Sequence, residues 1–134
     1  TRALSDQQVW GLVAAVWQAG SSPETLEQGK ALYTQNCAAC HGQDGAGDGV
    51  FANRTGSQGD TPGSTDMGHT LKAPADFTDS STMLGASPAL LEGKILRGGM
   101  GSGMPYWGPI FSEDQVWAIV DYLYAFQFDD KLRP

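Results

Sequence analysis

The chain has 134 residues, a formal net charge of −7 and a pI near 4.5. That length fits one compact domain with at most an appendage, and the acidity excludes a nucleic-acid reader, which needs a basic surface to meet phosphates. Eighteen glycines and seven prolines predict extensive loops, and a small loop-rich domain commonly needs a staple such as a metal or cofactor.

The first predicted element is a helix over Leu4–Trp17, where Val9, Leu12, Val13 and Val16 fall on one face. Ser5 and Gln8 have the spacing of a capping box, and Leu4 with Val9 that of a hydrophobic staple. A second helix opens at Ser22-Pro23-Glu24, a cap, a first-turn proline and a dipole-favoured acid, and runs into Cys37. From Gly42 to about Pro74 the residues are mostly Gly, Ser, Thr, Asp and Asn, which predicts a long loop. A third helix starts at Ser87-Pro88, carries Lys94 and Arg97 near its end and stops at Gly98. A fourth covers Ser112 to about Phe126, with Val116, Ile119, Val120 and Leu123 on one face. No stretch alternates with period two, so the expected class is all-α with long Gly-rich loops. No apolar run approaches the length of a membrane span, and no secretory leader is expected in the sequence as it stands.

The first and last helices match without a gap. When Leu4–Trp17 is set above Phe111–Tyr124, Ser5, Gln8, Val9, Trp10 and Val13 fall on Ser112, Gln115, Val116, Trp117 and Val120. Two capped amphipathic helices can converge on such a pattern, but the shared Gln-Val-Trp is less generic. The expectation is a duplication: residues 1–20 are an extra helix that closes a preceding module, and residues 21–134 are the domain proper.

The chemistry is concentrated in "CAACH", Cys37 to His41, which holds both cysteines of the chain. A redox dithiol places this spacing after a strand in a βαβ unit, whereas here a helix precedes it. A structural zinc site would have to combine Cys37, Cys40, His41 and His69, and adjacent Cys40 and His41 make an awkward tetrahedron. A covalent haem uses every letter: two thiols add to the porphyrin vinyl groups, and the following histidine lies under the iron. The candidates for a ligand on the other side are Met67, Met83, Met100, Met104 and His69. Met104 leads, with Met100 its main rival, because "RGGMGSGMPYWG" (Arg97–Gly108) lets the chain lie close to a flat ring and Pro105 stiffens it. A thioether also suits iron that stays coordinated in two oxidation states.

With these residues the chain resembles the class I c-type cytochromes, small helical monohaem electron carriers, over about Ser22 to Phe126. "CAACHG" (Cys37–Gly42) is similar to their haem motif, "MP" (Met104–Pro105) to their sixth-ligand segment, and "APADFTD" (Ala73–Asp79) to a phrase that follows the motif in many bacterial members. The resemblance implies a cytochrome c fold around one covalent haem c, with Pro74 offering its carbonyl to the proximal histidine. It also implies a crossing of the first and last helices through Gly29, Tyr33 and Tyr122. The loop from Gly49 to Lys72 is longer than in compact members, and the Leu4–Trp17 helix lies outside the usual unit.

The implied function is a one-electron carrier in an extracytoplasmic chain, periplasmic or on the outer face of a bacterial membrane, and not an enzyme. His41 and Met104 would ligate the iron. Leu71, Phe77, Leu84, Leu90, Leu91, Ile95 and Leu96 would line a water-poor pocket. Tyr106 and Trp107 would pack on the ring or bond a propionate, and Arg97 would pair with a propionate. The alternative is a haem enzyme or sensor whose sixth ligand gives way to peroxide or a gas. The expected partners are redox proteins with a basic docking face and a neighbouring cytochrome module.

Overall fold

The computed structural model describes residues 3–52, 73–99 and 102–128. The expectations for Met67, His69, Leu71 and Met100, and for most of the Gly49–Lys72 loop, fall outside those residues. The described elements are α1 (Asp6–Gly20), α2 (Pro23–Asn36), α3 (Ala38–His41), α4 (Ser80–Leu84), α5 (Pro88–Arg97) and α6 (Glu113–Phe128), and no strand occurs among them. The all-α expectation is met. Two short helices, α3 and α4, were not foreseen, and α1 runs three residues beyond Trp17 to Gly20.

The starts of the helices follow their capping residues. Ser22 accepts from Thr25 N at 3.1 Å and Ser87 from Leu90 N at 3.2 Å, each with a proline at the head of the helix where no amide is needed. At α6, Ser112 N donates to Gln115 Oε1 at 2.9 Å and Gln115 N to Ser112 Oγ at 3.3 Å, a complete capping box. α1 repeats it, with 2.9 Å and 3.3 Å between Ser5 and Gln8.

The core is the crossing of α2 and α6. Val116, Ile119, Val120 and Leu123 are buried, as are Ala118, Tyr122 and Phe126, so α6 is covered on most sides. Tyr33 from α2 sits among Tyr122, Phe126 and Phe77, with ring centroids 5.4, 5.2 and 6.4 Å away. Leu91 and Ile95 bring α5 to the same cluster. Met83, one of the candidate ligands, is buried in this cluster among core side chains. The crossing is close because Gly29 has no side chain: a Cβ there would collide with the Ala118 carbonyl oxygen and lie 2.8 Å from Tyr122 Cβ.

α1 packs differently. It has no buried residue, and it meets the rest through Trp17, tilted against Phe128 at 5.9 Å, and Trp10, which stacks on the same ring at 6.3 Å. Ser21 Oγ adds a 2.7 Å hydrogen bond to Asp121 Oδ1 on α6.

Two glycine substitutions should move stability in opposite directions. Gly29→Ala gains about 1 kcal/mol of helix propensity but loses more to a collision with main chain that cannot swing aside, for a net cost of about 2 kcal/mol. Gly11→Ala in α1 meets nothing within 4 Å and should stabilise that helix by up to about 1 kcal/mol. Guanidinium denaturation followed by far-UV circular dichroism measures both.

Candidate haem site

Cys37 ends α2, and one turn of helix, α3, carries Cys40 and His41 onward from it. This turn is locked from both ends. Cys37 N donates to Tyr33 O at 2.8 Å, continuing α2, and the carbonyls at the end of α3 are taken by the chain that follows. Gly47 N meets His41 O at 2.8 Å, Gly49 N meets Cys40 O at 3.1 Å and Phe51 N meets Ala39 O at 2.8 Å. The start of the expected long loop is therefore a tight wrap around the motif. Tyr33 Oη donates to Gly42 O at 2.8 Å, which ties the wrap to the core. Burial, reinforced by the nearby Cys37 thiol, holds that phenol far above its ordinary value, so it stays a donor.

The His41 ring is oriented by a backbone carbonyl. Its Nδ1 lies 3.2 Å from Ala75 O, and because a carbonyl only accepts, Nδ1 carries the proton and Nε2 keeps its lone pair. The expected partner was Pro74; the carbonyl that meets the ring belongs to the next residue. The physical reason is the local path of the chain: the Pro74 and Ala75 carbonyls both pass close to Gly47, whose missing side chain leaves them room, and it is the second that reaches the ring. Phe77 stacks on the imidazole at 4.8 Å and 24°. Burial lowers the His41 pKa against the opposing effect of the Ala75 bond, which keeps the ring neutral at pH 7.

The segment that presents Ala75 is itself pinned. Phe77 N donates to Gly45 O at 2.7 Å, and the buried Gln127 of α6 donates from Nε2 to Phe77 O at 2.9 Å while accepting from Ser80 Oγ at 3.1 Å. Ala75, Phe77 and Gln127 thus support the site in ways the sequence reading did not assign. Phe77 lies inside "APADFTD" and was detectable there as a pocket residue. A glutamine on an otherwise apolar helix face was the only signal for Gln127.

At the end of α5, Gly98 takes φ +67° and the chain doubles back so that a Cβ there would lie 2.5 Å from Met104 O. Gly99 N donates to Met104 O at 3.2 Å, and Met104 is half-buried against the core cluster. Trp107 donates its amide to Ile95 O at 3.0 Å and stacks on Phe111 at 5.2 Å, so it is a packing residue of this loop. Tyr106 is exposed, and the Arg97 guanidinium folds back over Gly93 of its own helix. Of the expected pocket residues, Phe77, Leu91 and Ile95 are buried and Leu96 is partly so. Leu84 and Leu90 are exposed, because α4 and α5 turn Met83 and Leu91 inward in their place.

The donor set fits a covalent haem. Two thiols stand one helical turn apart beside a neutral imidazole with its Nε2 free, and burial pushes the Cys37 thiol up to about 12, with Cys40 adding to the effect. A zinc knuckle fits less well: among the described residues no group of three or more His, Cys, Asp or Glu is placed to hold a metal ion. The helix that leads into Cys37 likewise removes the strand a thioredoxin-like dithiol requires.

A helical fold of this kind around such a motif defines a class I c-type cytochrome. The model of the family described as Cytochrome C oxidase, cbb3-type, subunit III matches residues 24–123, and the chain belongs to that family. As a cytochrome c domain it carries covalent haem c and works in electron transfer. Cbb3-type cytochrome c oxidase subunit FixP of Sinorhizobium medicae (strain WSM419) is 46% identical over 41 residues, 31% of this chain and 14% of the relative. The same subunit of Rhizobium meliloti (strain 1021) is 44% identical over 41 residues, with the same coverage. A chain in a solved structure of the Kuenenia stuttgartiensis reducing HAO-like protein complex superposes with a TM-score of 0.63 at 26% identity, covering 79% of this chain and 45% of that one. The chain thus spans a minor part of the curated relatives it matches.

Gln127→Leu tests the support behind the imidazole. The Phe77 carbonyl and the Ser80 hydroxyl lose their shared partner, at a cost of about 1–3 kcal/mol. The expected result is a lower guanidinium midpoint of the haem-loaded protein with haem content unchanged.

Proposed function

We propose that this domain is a one-electron carrier that holds one haem c by thioethers to Cys37 and Cys40, with His41 and Met104 as axial ligands, in an extracytoplasmic electron-transfer chain. The observation that carries the reading is the 3.2 Å contact between His41 Nδ1 and Ala75 O, which aims an unprotonated Nε2 away from the protein backbone as a ligand. When bound, the haem supplies the ferric/ferrous couple.

The residues do the rest. Cys37 and Cys40 tether the group to a helical turn whose carbonyls are all satisfied, so the tether is stiff. His41 keeps its proton on Nδ1 and gives up none during turnover. Met104 offers a soft thioether from a loop that closes against Gly98 and Gly99, and methionine opposite histidine raises the potential. With His41 and Met104 both given to the group, the protein would leave it no open position for a substrate. Phe77, Leu91 and Ile95 supply apolar surroundings, while Tyr106 and Arg97, both exposed, are assigned to the propionates.

The net charge of −7 supports docking with a basic face of a redox partner. FixP is named as a subunit of an oxidase, and the Kuenenia chain belongs to a complex, which supports a place among partner proteins that pass electrons on. Consumption of both thiols in thioethers suits an oxidising compartment, the periplasm or the outer membrane face. No described helix is long and apolar enough to cross a membrane.

Met104→Ala should abolish the red-edge methionine–iron charge-transfer band of the oxidised protein. It should also lower the potential by on the order of a hundred millivolts, part of the roughly 0.8 V that axial ligands span. An unchanged band and potential would remove Met104 from the site. A high-spin ferric spectrum in the unaltered protein that shifts on adding cyanide or carbon monoxide would overturn the carrier in favour of a ligand-binding haem.

A further inference from the structure

We propose that the groove between α1 and the outward side of α6 is a docking site for an arginine side chain of a partner protein. The inference goes beyond the carrier reading and stands whether or not a haem is bound.

The groove begins as a pattern in α6. Asp114, Trp117, Asp121 and Tyr124 follow one another at steps of three and four residues, so they share one stripe of the helix. Acid and aromatic alternate along it, while Val116, Ile119 and Leu123 hold the opposite, buried side. Trp17 of α1 and Thr25 and Gln28 of α2 join that stripe in lining a groove of about 510 Å³. That volume is within the range that bound ligands fill.

The polar groups leave a negative balance. Asp121 Oδ1 accepts from Ser21 Oγ at 2.7 Å, which steadies the carboxylate, and the second oxygen has no partner among the described residues. The Tyr124 hydroxyl is taken by Ala86 O at 2.6 Å, so this residue offers the groove its ring and not a donor. Trp117 is 39% exposed. Trp17 Nε1 is the one buried side-chain nitrogen or oxygen without a hydrogen-bond partner among the described residues, a cost carried to keep an indole in this wall. No Lys, Arg or His lines the groove. The N-termini of α2 and α6 oppose a cation with about half a unit charge each, and Glu24 and Glu113 meet them within their own first turns. Asp114 and Asp121 therefore remain to attract one.

The occupant follows from charge and shape. The negative faces of three aromatic rings add to the field of the two carboxylates, so the ligand is a cation. A guanidinium is flat, stacks on an indole face while donating to a carboxylate, and sheds water more readily than an ammonium. Gln28, Asp114 and Trp117 are exposed, so the groove is open on one side, as a side chain presented by a protein surface requires. The net charge of −7 steers such a basic surface towards the chain. None of the lining residues belongs to the Cys37–His41 turn or to residues 98–107, so this contact is separate from the haem site.

The test titrates the haem-loaded, reduced 134-residue chain with a blocked Gly-Arg-Gly peptide and follows the indole N–H resonances of Trp17 and Trp117 by NMR. Saturable shifts of both are expected, with a Kd on the order of millimolar. Trp117→Leu and Asp121→Asn should each weaken binding about fivefold or more, with Trp117→Phe between Leu and the parent. Glu113→Gln, which removes the same charge from outside the groove, should leave the Kd unchanged. The proposal is overturned if neither indole shifts saturably, or if Glu113→Gln weakens binding as much as Asp121→Asn, since net charge alone would then explain it. Equally tight binding of a blocked Gly-Lys-Gly peptide or of tetramethylammonium overturns it too, because the groove would then take any small cation. A chain that binds the arginine peptide with these variant effects but carries no haem upholds this site and defeats only the carrier reading.

Discussion

Gly29 and the Ala118 carbonyl it passes determine how near α2 comes to α6, and that approach governs the position of everything that bears chemistry. With the backbones this close, Tyr33, four residues along α2, reaches between Tyr122 and Phe126, and its hydroxyl emerges where Gly42 turns away from the motif. A wider crossing would withdraw that hydroxyl from the wrap and leave the buried Tyr33 phenol without its acceptor, which costs more than the hydrogen bond itself contributes. The helix pair therefore positions the haem-binding turn through main-chain contacts as well as through packing.

From that crossing, support passes to His41 along a short chain of bonds. Gln127 holds Phe77 O, Phe77 N holds Gly45 O, and Ala75, two residues before Phe77, meets the imidazole. All of the acceptors are neutral carbonyls. A carboxylate in place of Ala75 O would draw the proton harder and make the imidazole a stronger donor to a metal, whereas a carbonyl orients the ring with a milder electronic effect. This choice is consistent with a site that holds its ferrous state well.

The sequence made the class and the donor set legible because both are local. C-x-x-C-H is a matter of five adjacent residues, and the capped helices announce themselves through Ser-Pro pairs and capping boxes. The Gly29–Tyr33–Tyr122 crossing was read from resemblance, and the close approach at Gly29 bears it out. The identity of the carbonyl partner was missed by one residue. Which of Pro74 and Ala75 faces the ring depends on how the chain bends past Gly47, a contact made across some thirty residues and invisible in either segment alone. Gln127 was missed for the same reason, since its role appears only once α6 lies beside Phe77. α3 was passed over because a single turn has no periodicity to detect.

The two sides of the site are not held alike. Around His41 the main-chain bonds run from 2.7 to 3.2 Å and converge from α2, α6 and the wrap. Around Met104, Gly99 N reaches Met104 O at 3.2 Å and Met104 N reaches Ser102 Oγ at 3.4 Å, while Trp107 N ties the same segment to Ile95 O of α5 at 3.0 Å. On the proposed reading the imidazole is held from α2, α6 and the wrap, and the thioether from the segment that follows α5 and the core residues it packs against.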